Sequence, residues 1–157
     1  MTGVQTCALP IWATTRPRCS GAIRRGTPGD LAQVAVIQAA SPEAAQWDVS
    51  QYPRYHFRVS VCGIRVAGFL VSRTLVEGET ELLNLAVAPE SRRQGVARKL
   101  VESLLAESPG VVYLEVRESN LAARTFYNHM GFQEVSSRPG YYQHPPEAAI
   151  VMKFHSC

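Results

Sequence analysis

No two cysteines of this chain stand at C-x-x-C spacing. Cys7, Cys19, Cys62 and Cys157 lie far apart, and His56, His129, His144 and His155 show no ligand spacing with them or with one another. Neither a metal site nor a disulfide scaffold is therefore expected, and a reducing cytoplasm fits such a chain. Apolar runs stay well short of the ~20 residues of a membrane span. The N-terminus lacks a charged region followed by an apolar core, so no membrane partner is expected. Strong charge is missing too. A formal charge of +3, with no long basic tail, is too mild for direct nucleic-acid binding. Internal repeats and low-complexity segments are also absent. What remains is a chain of 157 residues, 46% hydrophobic and 18% charged, with enough apolar sequence for the core of one domain.

The first residues are set apart from that domain. Thr2-Gly-Val-Gln-Thr-Cys-Ala-Leu-Pro-Ile11 is the translation of ACTGGAGTTCAGACGTGTGCTCTTCCGATC, a common sequencing-library adapter, with a preceding GTG as start codon. Residues 1–11 are expected to be an assembly artefact on prokaryotic, bacterial DNA, which leaves Cys7 without meaning. Residues 1–21 as a whole are read as this artefact plus a disordered N-terminus, and 22–157 as the domain.

The most informative stretch runs from Asn84 to Leu100, where an apolar strand meets an amphipathic helix through a basic, glycine-containing turn. The first N–H groups of a helix lack intrahelical partners and carry the positive end of its dipole, so an anion satisfies both. Gly95 permits close approach of the backbone, small Ala97 keeps the first turn open, and Arg92, Arg93, Arg98 and Lys99 add charge. Val96, Leu100, Val101, Leu104 and Leu105 supply the core face of the helix, and Ser108-Pro109-Gly110 ends it. The spacing differs from that of a Walker loop. A basic solvated turn on an α/β domain remains the alternative reading of these residues alone.

Elsewhere, Ala22 to Arg24 opens the sheet and Asp30 caps a helix from Leu31 to Ala40, while Ser41-Pro42-Glu43 starts a second helix through Trp47. Tyr55 to Val61, Ile64 to Thr74 and Leu82 to Val87 read as an antiparallel meander. Val111 to Val116 should return beside the last of these as a parallel neighbour. Asn120 caps a helix whose Ala123, Phe126, Tyr127 and Met130 share a face, Gly131 stops it, and Phe132 to Arg138 and Ala149 to Phe154 close the sheet.

The order βααβββαβαββ, together with Arg92-x-x-Gly95-x-Ala97 after an apolar strand, resembles the GNAT N-acetyltransferases over residues 22 to 154. The resemblance implies an α/β (α+β) single domain with a central mixed, mostly antiparallel sheet flanked by helices. It implies acetyl-CoA as co-substrate and no metal. Leu85, Ala86 and Val87 would hold the pantetheine arm through main-chain groups. Arg92, Arg93, Gln94, Gly95, Val96, Ala97 and Arg98 would form the pyrophosphate loop.

Glu115 interrupts an apolar strand, where a carboxylate must be paired, solvated or raised in pKa; a strand-end glutamate facing water is the plain alternative. Tyr127 likewise reads as either a core residue or a functional hydroxyl. Their context, Leu114-Glu-Val-Arg-Glu-Ser-Asn-Leu-Ala-Ala-Arg-Thr-Phe-Tyr-Asn-His-Met-Gly-Phe132, is similar to the ribosomal-protein-alanine N-acetyltransferases, the RimI-type branch of GNAT. That likeness implies Glu115 as general base, Tyr127 as general acid and Asn120 as a coenzyme A contact. Arg138, Tyr141 and Tyr142 match the branch's R-x-x-Y-Y loop and would line the peptide entrance. Trp47, where the branch has P-W-S, would face the acceptor or anchor the core. Gln46 and Asp48 beside it, and Ala148 in place of an acidic residue, are departures that bear on the acceptor.

The expected function is acetyl transfer from acetyl-CoA to a protein N-terminal α-amine, with an alanine-starting ribosomal protein as the implied partner. A small-molecule amine or a protein lysine is the competing acceptor. A non-catalytic acyl-CoA-binding module and a ribosome-associated interaction protein are further alternatives. Oligomeric state is not set by the sequence, and a monomer is compatible with it.

Overall fold

The computed structural model describes residues 21–156. The adapter-like residues 1–11, residues 12–20, and Cys7, Cys19 and Cys157 lie outside the described residues.

A seven-stranded sheet in the order β1-β2-β3-β4-β5-β7-β6 forms the centre. Its strands are β1 (Ala22–Arg25), β2 (His56–Cys62), β3 (Arg65–Val76), β4 (Glu79–Val87), β5 (Val111–Arg117), β6 (Gln133–Gln143) and β7 (Pro146–His155). The β2–β3–β4 meander is antiparallel as its alternating sequence predicts, and β5 lies parallel to β4. Every other neighbouring pair is antiparallel, which gives a mixed, mostly antiparallel sheet.

Three α-helices pack on this sheet: α1 (Leu31–Ala39), α2 (Val96–Glu107) and α3 (Leu121–His129). On one face, Val96, Leu100, Val101 and Leu104 of α2 and Tyr127 of α3 bury against Leu82, Leu114, Val116 and Met152. On the other, Val34 and Ile37 of α1 meet Phe57, Val59, Phe69, Val71 and Ala86, with Tyr52 among them. The two apolar clusters lie on opposite sides because strand side chains alternate. Gly68 lets α2 approach closely: a Cβ there would stand 2.9 Å from Val96 Cγ1 and 3.0 Å from the Ala86 carbonyl oxygen.

Several end signals work as the sequence suggests. Asn120 Oδ1 accepts from the Ala123 N–H at 3.1 Å. At the other end of α3, Gly131 adopts φ 95°, and the Phe132 N–H donates to the Tyr127 carbonyl at 3.0 Å, a glycine-terminated helix end. Asp30, expected to cap α1, turns backward instead. Its carboxylate accepts from the Thr27 N–H and hydroxyl at 2.8 and 2.9 Å and binds the Arg24 guanidinium through two contacts of 2.8 Å.

The expected second helix does not form. Pro42 to Ala44 make a turn, and a 3-10 helix at Val49–Arg54 follows. Beside the turn bond from the Ala44 N–H to the Ser41 carbonyl at 2.9 Å, side chains take up several carbonyls here. Gln46 Nε2 alone lies within 3.1 Å of the carbonyl oxygens of Gln38, Ser41 and Ala44.

Candidate active site

Pairing between β4 and β5 runs from Glu79↔Val111 to Leu82↔Leu114 and stops there. Beyond that point β4 continues beside β3 and β5 continues beside β7 as far as Arg117, so a gap opens within the sheet. A bulge marks its start: Val71 pairs with Asn84 and Ser72 with Leu82, which leaves Leu83 as an extra residue. The Ala88 N–H donates to the Ala67 carbonyl on β3 at 2.8 Å. By strand alternation, main-chain groups of Leu85 and Val87 are then directed away from β3, toward the gap, while Ala86 is turned to β3. Part of this set is taken up internally. The Leu85 N–H donates to Asn84 Oδ1 at 3.0 Å, and Arg92 Nε donates to the Val87 carbonyl at 3.3 Å.

The basic turn and the start of α2 flank this gap. Arg93 and Gly95 both have left-handed backbone, at φ 59° and 79°. Nothing lies within 4 Å of where a Gly95 Cβ would stand, so the glycine serves conformation and open space. The first helical bond of α2 is from the Lys99 N–H to the Gly95 carbonyl, at 3.1 Å. The N–H groups of Val96, Ala97 and Arg98 thus have no intrahelical acceptor, and glycine at the cap brings no side chain to them. These donors fit a phosphate group.

The side chains of the turn divide their work. Arg92, though exposed, binds the Ala40 carbonyl and Ser41 Oγ, both at 3.1 Å, as well as the Val87 carbonyl. Gln94 Nε2 donates to the Glu90 carbonyl at 3.0 Å. Val96 is core, and Arg98 pairs with Glu102 one helical turn on. Arg93 is exposed. Arg92, Gln94 and Arg98 are thus engaged within the protein, while the N–H groups of Val96, Ala97 and Arg98 stand without an intrahelical acceptor.

Glu115 projects from β5 on the face opposite Leu114 and Val116, away from α2 and α3. Its side chain is 17% exposed and ion-paired to Arg138 of β6. The Arg138 guanidinium lies 4.5 Å from the centre of the Tyr141 ring. A hydrogen bond to Glu115 is the main cause that raises the Tyr141 hydroxyl pKa. Tyr142 packs edge-on to Tyr141 and stacks under Arg117 at 4.1 Å, while Arg117 also pairs with Glu147 at 3.2 Å. Arg138, Tyr141 and Tyr142 are thus gathered with Glu115 into one polar rim.

Tyr127 sits on the other face, within the α2–α3 cluster, in edge contact with the rings of Phe126 and Phe132. Burial pushes its hydroxyl pKa well above the ordinary tyrosine value, so the group stays protonated through the physiological range. Asn120 directs its oxygen to the α3 cap, which leaves its amide nitrogen for other partners. Trp47 is 42% exposed on the segment between α1 and the 3-10 helix. Among the described residues no group of three or more His, Cys, Asp or Glu could hold a metal ion. No helix among them is long and apolar enough to cross a membrane.

The acetyltransferase (GNAT) family matches residues 31–132. The chain belongs to this family. It is 35% identical over 97 residues to the [ribosomal protein bS18]-alanine N-acetyltransferase of Haemophilus ducreyi, a match covering 57% of this chain and 66% of that relative. To the enzyme of the same name from Salmonella typhimurium it is 40% identical over 94 residues, covering 56% of this chain and 63% of the relative. The matched stretch thus spans slightly less than two thirds of each of these relatives. Among solved structures, the ribosomal-protein-S18-alanine N-acetyltransferase from Escherichia coli superposes with a TM-score of 0.73 at 30% identity, covering 86% of this chain and 93% of that one.

As a GNAT domain the chain carries one polar feature that the sequence reading passed over. Asn84 and Gln38 are buried beside the gap and hydrogen-bonded with Tyr52. A signal was present, because an asparagine between leucines in Leu82-Leu-Asn-Leu85 calls for partners just as a glutamate in a strand does. Arg117 and Glu147, which set the Tyr142 side of the rim, were also unmarked.

Proposed function

We propose that this GNAT protein transfers acetyl from acetyl-CoA to the α-amine of a protein N-terminus, with an alanine-starting ribosomal protein as acceptor. The names of its relatives support the acceptor class. The observation that carries the reading is the gap between β4 and β5. It offers unpaired α2 amides and Tyr127 on one side of the sheet and Glu115 with its polar rim on the other. A cofactor and an acceptor amine approaching from opposite faces would meet there, and holding both supplies the proximity term.

In this mechanism the N–H groups of Val96, Ala97 and Arg98 hold the pyrophosphate, with Arg93 adding charge at the exposed side and Asn120 contributing its amide. Leu85 and Val87 offer main-chain groups to the pantetheine arm. The acceptor ammonium has an ordinary pKa near ~8 and must lose a proton before its nitrogen can attack. Glu115 takes that proton, directly or through water. The nitrogen adds to the thioester carbonyl carbon, the oxyanion draws on the Val87 N–H, and the carbon–sulfur bond then breaks. The thiolate leaves with a proton from the Tyr127 hydroxyl, the acylated nitrogen sheds its second proton to solvent, from which Tyr127 is reprotonated, and coenzyme A and the N-acetylated chain result. Trp47, Arg138, Tyr141 and Tyr142 line the peptide entrance.

The test is acetyl transfer to a panel of peptides differing at their first residue, beside lysine-containing and small-amine acceptors. Modification of the α-amine of an alanine-starting peptide supports the proposal. Transfer confined to lysine side chains or small amines overturns the acceptor assignment.

A further inference from the structure

The segment between α1 and the 3-10 helix carries Trp47, which the proposed function puts at the peptide entrance, yet it has no regular ladder of its own. Side chains instead hold the carbonyls of Ala40, Ser41, Ala44, Ala45 and Trp47. Gln46 serves those of Ser41 and Ala44 from within the segment, and that of Gln38 in α1. Gln38 Nε2 donates to the Trp47 carbonyl at 2.7 Å and Arg92 to that of Ala40 at 3.1 Å. Asn84 Nδ2, from β4, donates to the Ala45 carbonyl at 2.9 Å.

Asn84 is where this segment joins the gap. It is 4% exposed and sits at the β4 bulge. Its oxygen holds the Leu85 N–H, while its Nδ2 also faces Tyr52 Oη at 2.8 Å and Gln38 Oε1 at 3.3 Å. The Tyr52 hydroxyl in turn donates to Gln38 Oε1. The carboxamide provides an acceptor toward the strand and donors toward the segment in one side chain. Aspartate keeps only the acceptor, and alanine strands both the Leu85 N–H and the Ala45 carbonyl.

We propose that Asn84 is a positioning residue that couples the Trp47 segment to the β4 strand of the gap. This rests on the proposed function, in which those two elements meet the acceptor and the thioester. Because Asn84 occupies the Leu85 N–H and Arg92 occupies the Val87 carbonyl, β4 presents the Leu85 carbonyl to the pantetheine arm and the Val87 N–H to the thioester oxygen. The same carboxamide fixes the acceptor wall to those two groups.

Amide hydrogen exchange in the full chain at neutral pH tests the coupling without any acceptor. In Asn84→Ala, the Leu85 amide and the Ser41 and Ala44 amides should exchange about tenfold faster beyond any global loss of stability. Gly26 and Ser156, which donate to distant carbonyls, should follow global stability alone. In Asn84→Asp, Leu85 should stay protected while Ser41 and Ala44 open. Equal acceleration at all sites, or an unaffected segment, overturns the proposal.

Kinetics with a peptide that the wild type acetylates supply the second readout. Asn84→Asp should raise the peptide KM about tenfold and leave that of acetyl-CoA within about twofold. Adding Trp47→Ala should then raise the peptide KM no further, because the segment is already released. Gln46→Ala, which removes bonds to Gln38, Ser41 and Ala44 and leaves the Asn84 carboxamide in place, should raise the peptide KM while preserving Leu85 protection, a second readout should Asn84→Ala not fold. Parallel rises in both KM values, or full additivity with Trp47→Ala, contradict the coupling. If the wild type acetylates no α-amine, the functional reading fails and the exchange experiment still decides the role of Asn84.

Discussion

The Glu115 carboxylate accepts a charge-assisted hydrogen bond from the Arg138 guanidinium, joining β5 to β6 across the intervening β7. Arg138 is 55% exposed and rests on the Tyr141 ring, so an exposed guanidinium orients the largely buried Glu115 carboxylate at the rim. An acceptor ammonium arriving at Glu115 competes with Arg138 for the same oxygens. Arg138 also holds the Tyr141 ring in place, and loss of that order outweighs the removed competition: Arg138→Ala should raise the peptide KM by about 3- to 10-fold, with the acetyl-CoA KM unchanged. Steady-state kinetics with each substrate varied in turn check this, and an equal change in both KM values would refute it.

Tyr127→Phe should lower kcat by about 10²- to 10⁴-fold, as expected for loss of a positioned proton donor. The hydroxyl has a raised folded pKa because of burial. Its contribution to stability is accordingly whole below the unfolded tyrosine pKa near ~10 and is lost as pH rises through the folded value. Urea unfolding from pH 8 upward should show the wild type losing stability above about pH 10 more steeply than the phenylalanine variant. Identical slopes would mean that the hydroxyl is not buried as described.

Asp30 carries the opposite sign. The Arg24 guanidinium first, then the Thr27 N–H and hydroxyl, hold its carboxyl well below the usual carboxylate range against the opposing effect of burial. That stability is present above the unfolded pKa near ~4 and is lost as pH falls through the folded value. Asp30→Asn should cost about 1–2 kcal/mol at pH 7, a figure reduced for the 44% exposure of Arg24. Denaturant melts at pH 7 and pH 3 should show this difference shrinking in acid.

Gly68 links packing to the cofactor side. A methyl group there would press on the stiff Val96 side chain and the Ala86 carbonyl, both adjoining the gap. Gly68→Ala should cost about 1–3 kcal/mol and raise the acetyl-CoA KM by displacing the α2 N-terminus. Thermal unfolding and the acetyl-CoA KM should change together; a stability loss with unaltered KM would separate the packing from the site.

Much of this architecture was legible because its signals are local. The apolar spacing of Val96, Leu100, Val101 and Leu104, the Asn120 cap and the Gly131-Phe132 stop each act within a few residues. The failures share a longer reach. Ser41-Pro42-Glu43 has a helix-start pattern, but Gln46, Asn84 and Arg92 claim the carbonyls that a helix would have used. Arg92 looked like a phosphate ligand from its charge and place, and its guanidinium instead spans from β4 to the end of α1. Glu115 was legible as a carboxylate in need of a partner, while the identity of that partner, Arg138, depended on the β5–β7–β6 order.

The most direct measurement is intact-mass detection of acetyl transfer from acetyl-CoA to an alanine-starting ribosomal peptide, with wild type and Glu115→Gln side by side. One acetyl group on the α-amine, a kcat lower by about 10²- to 10⁴-fold in the variant, and little change in the acetyl-CoA KM are expected. Equal turnover by the two proteins would contradict Glu115 as the base. Coenzyme A binding without transfer to any α-amine would contradict the proposed reaction itself.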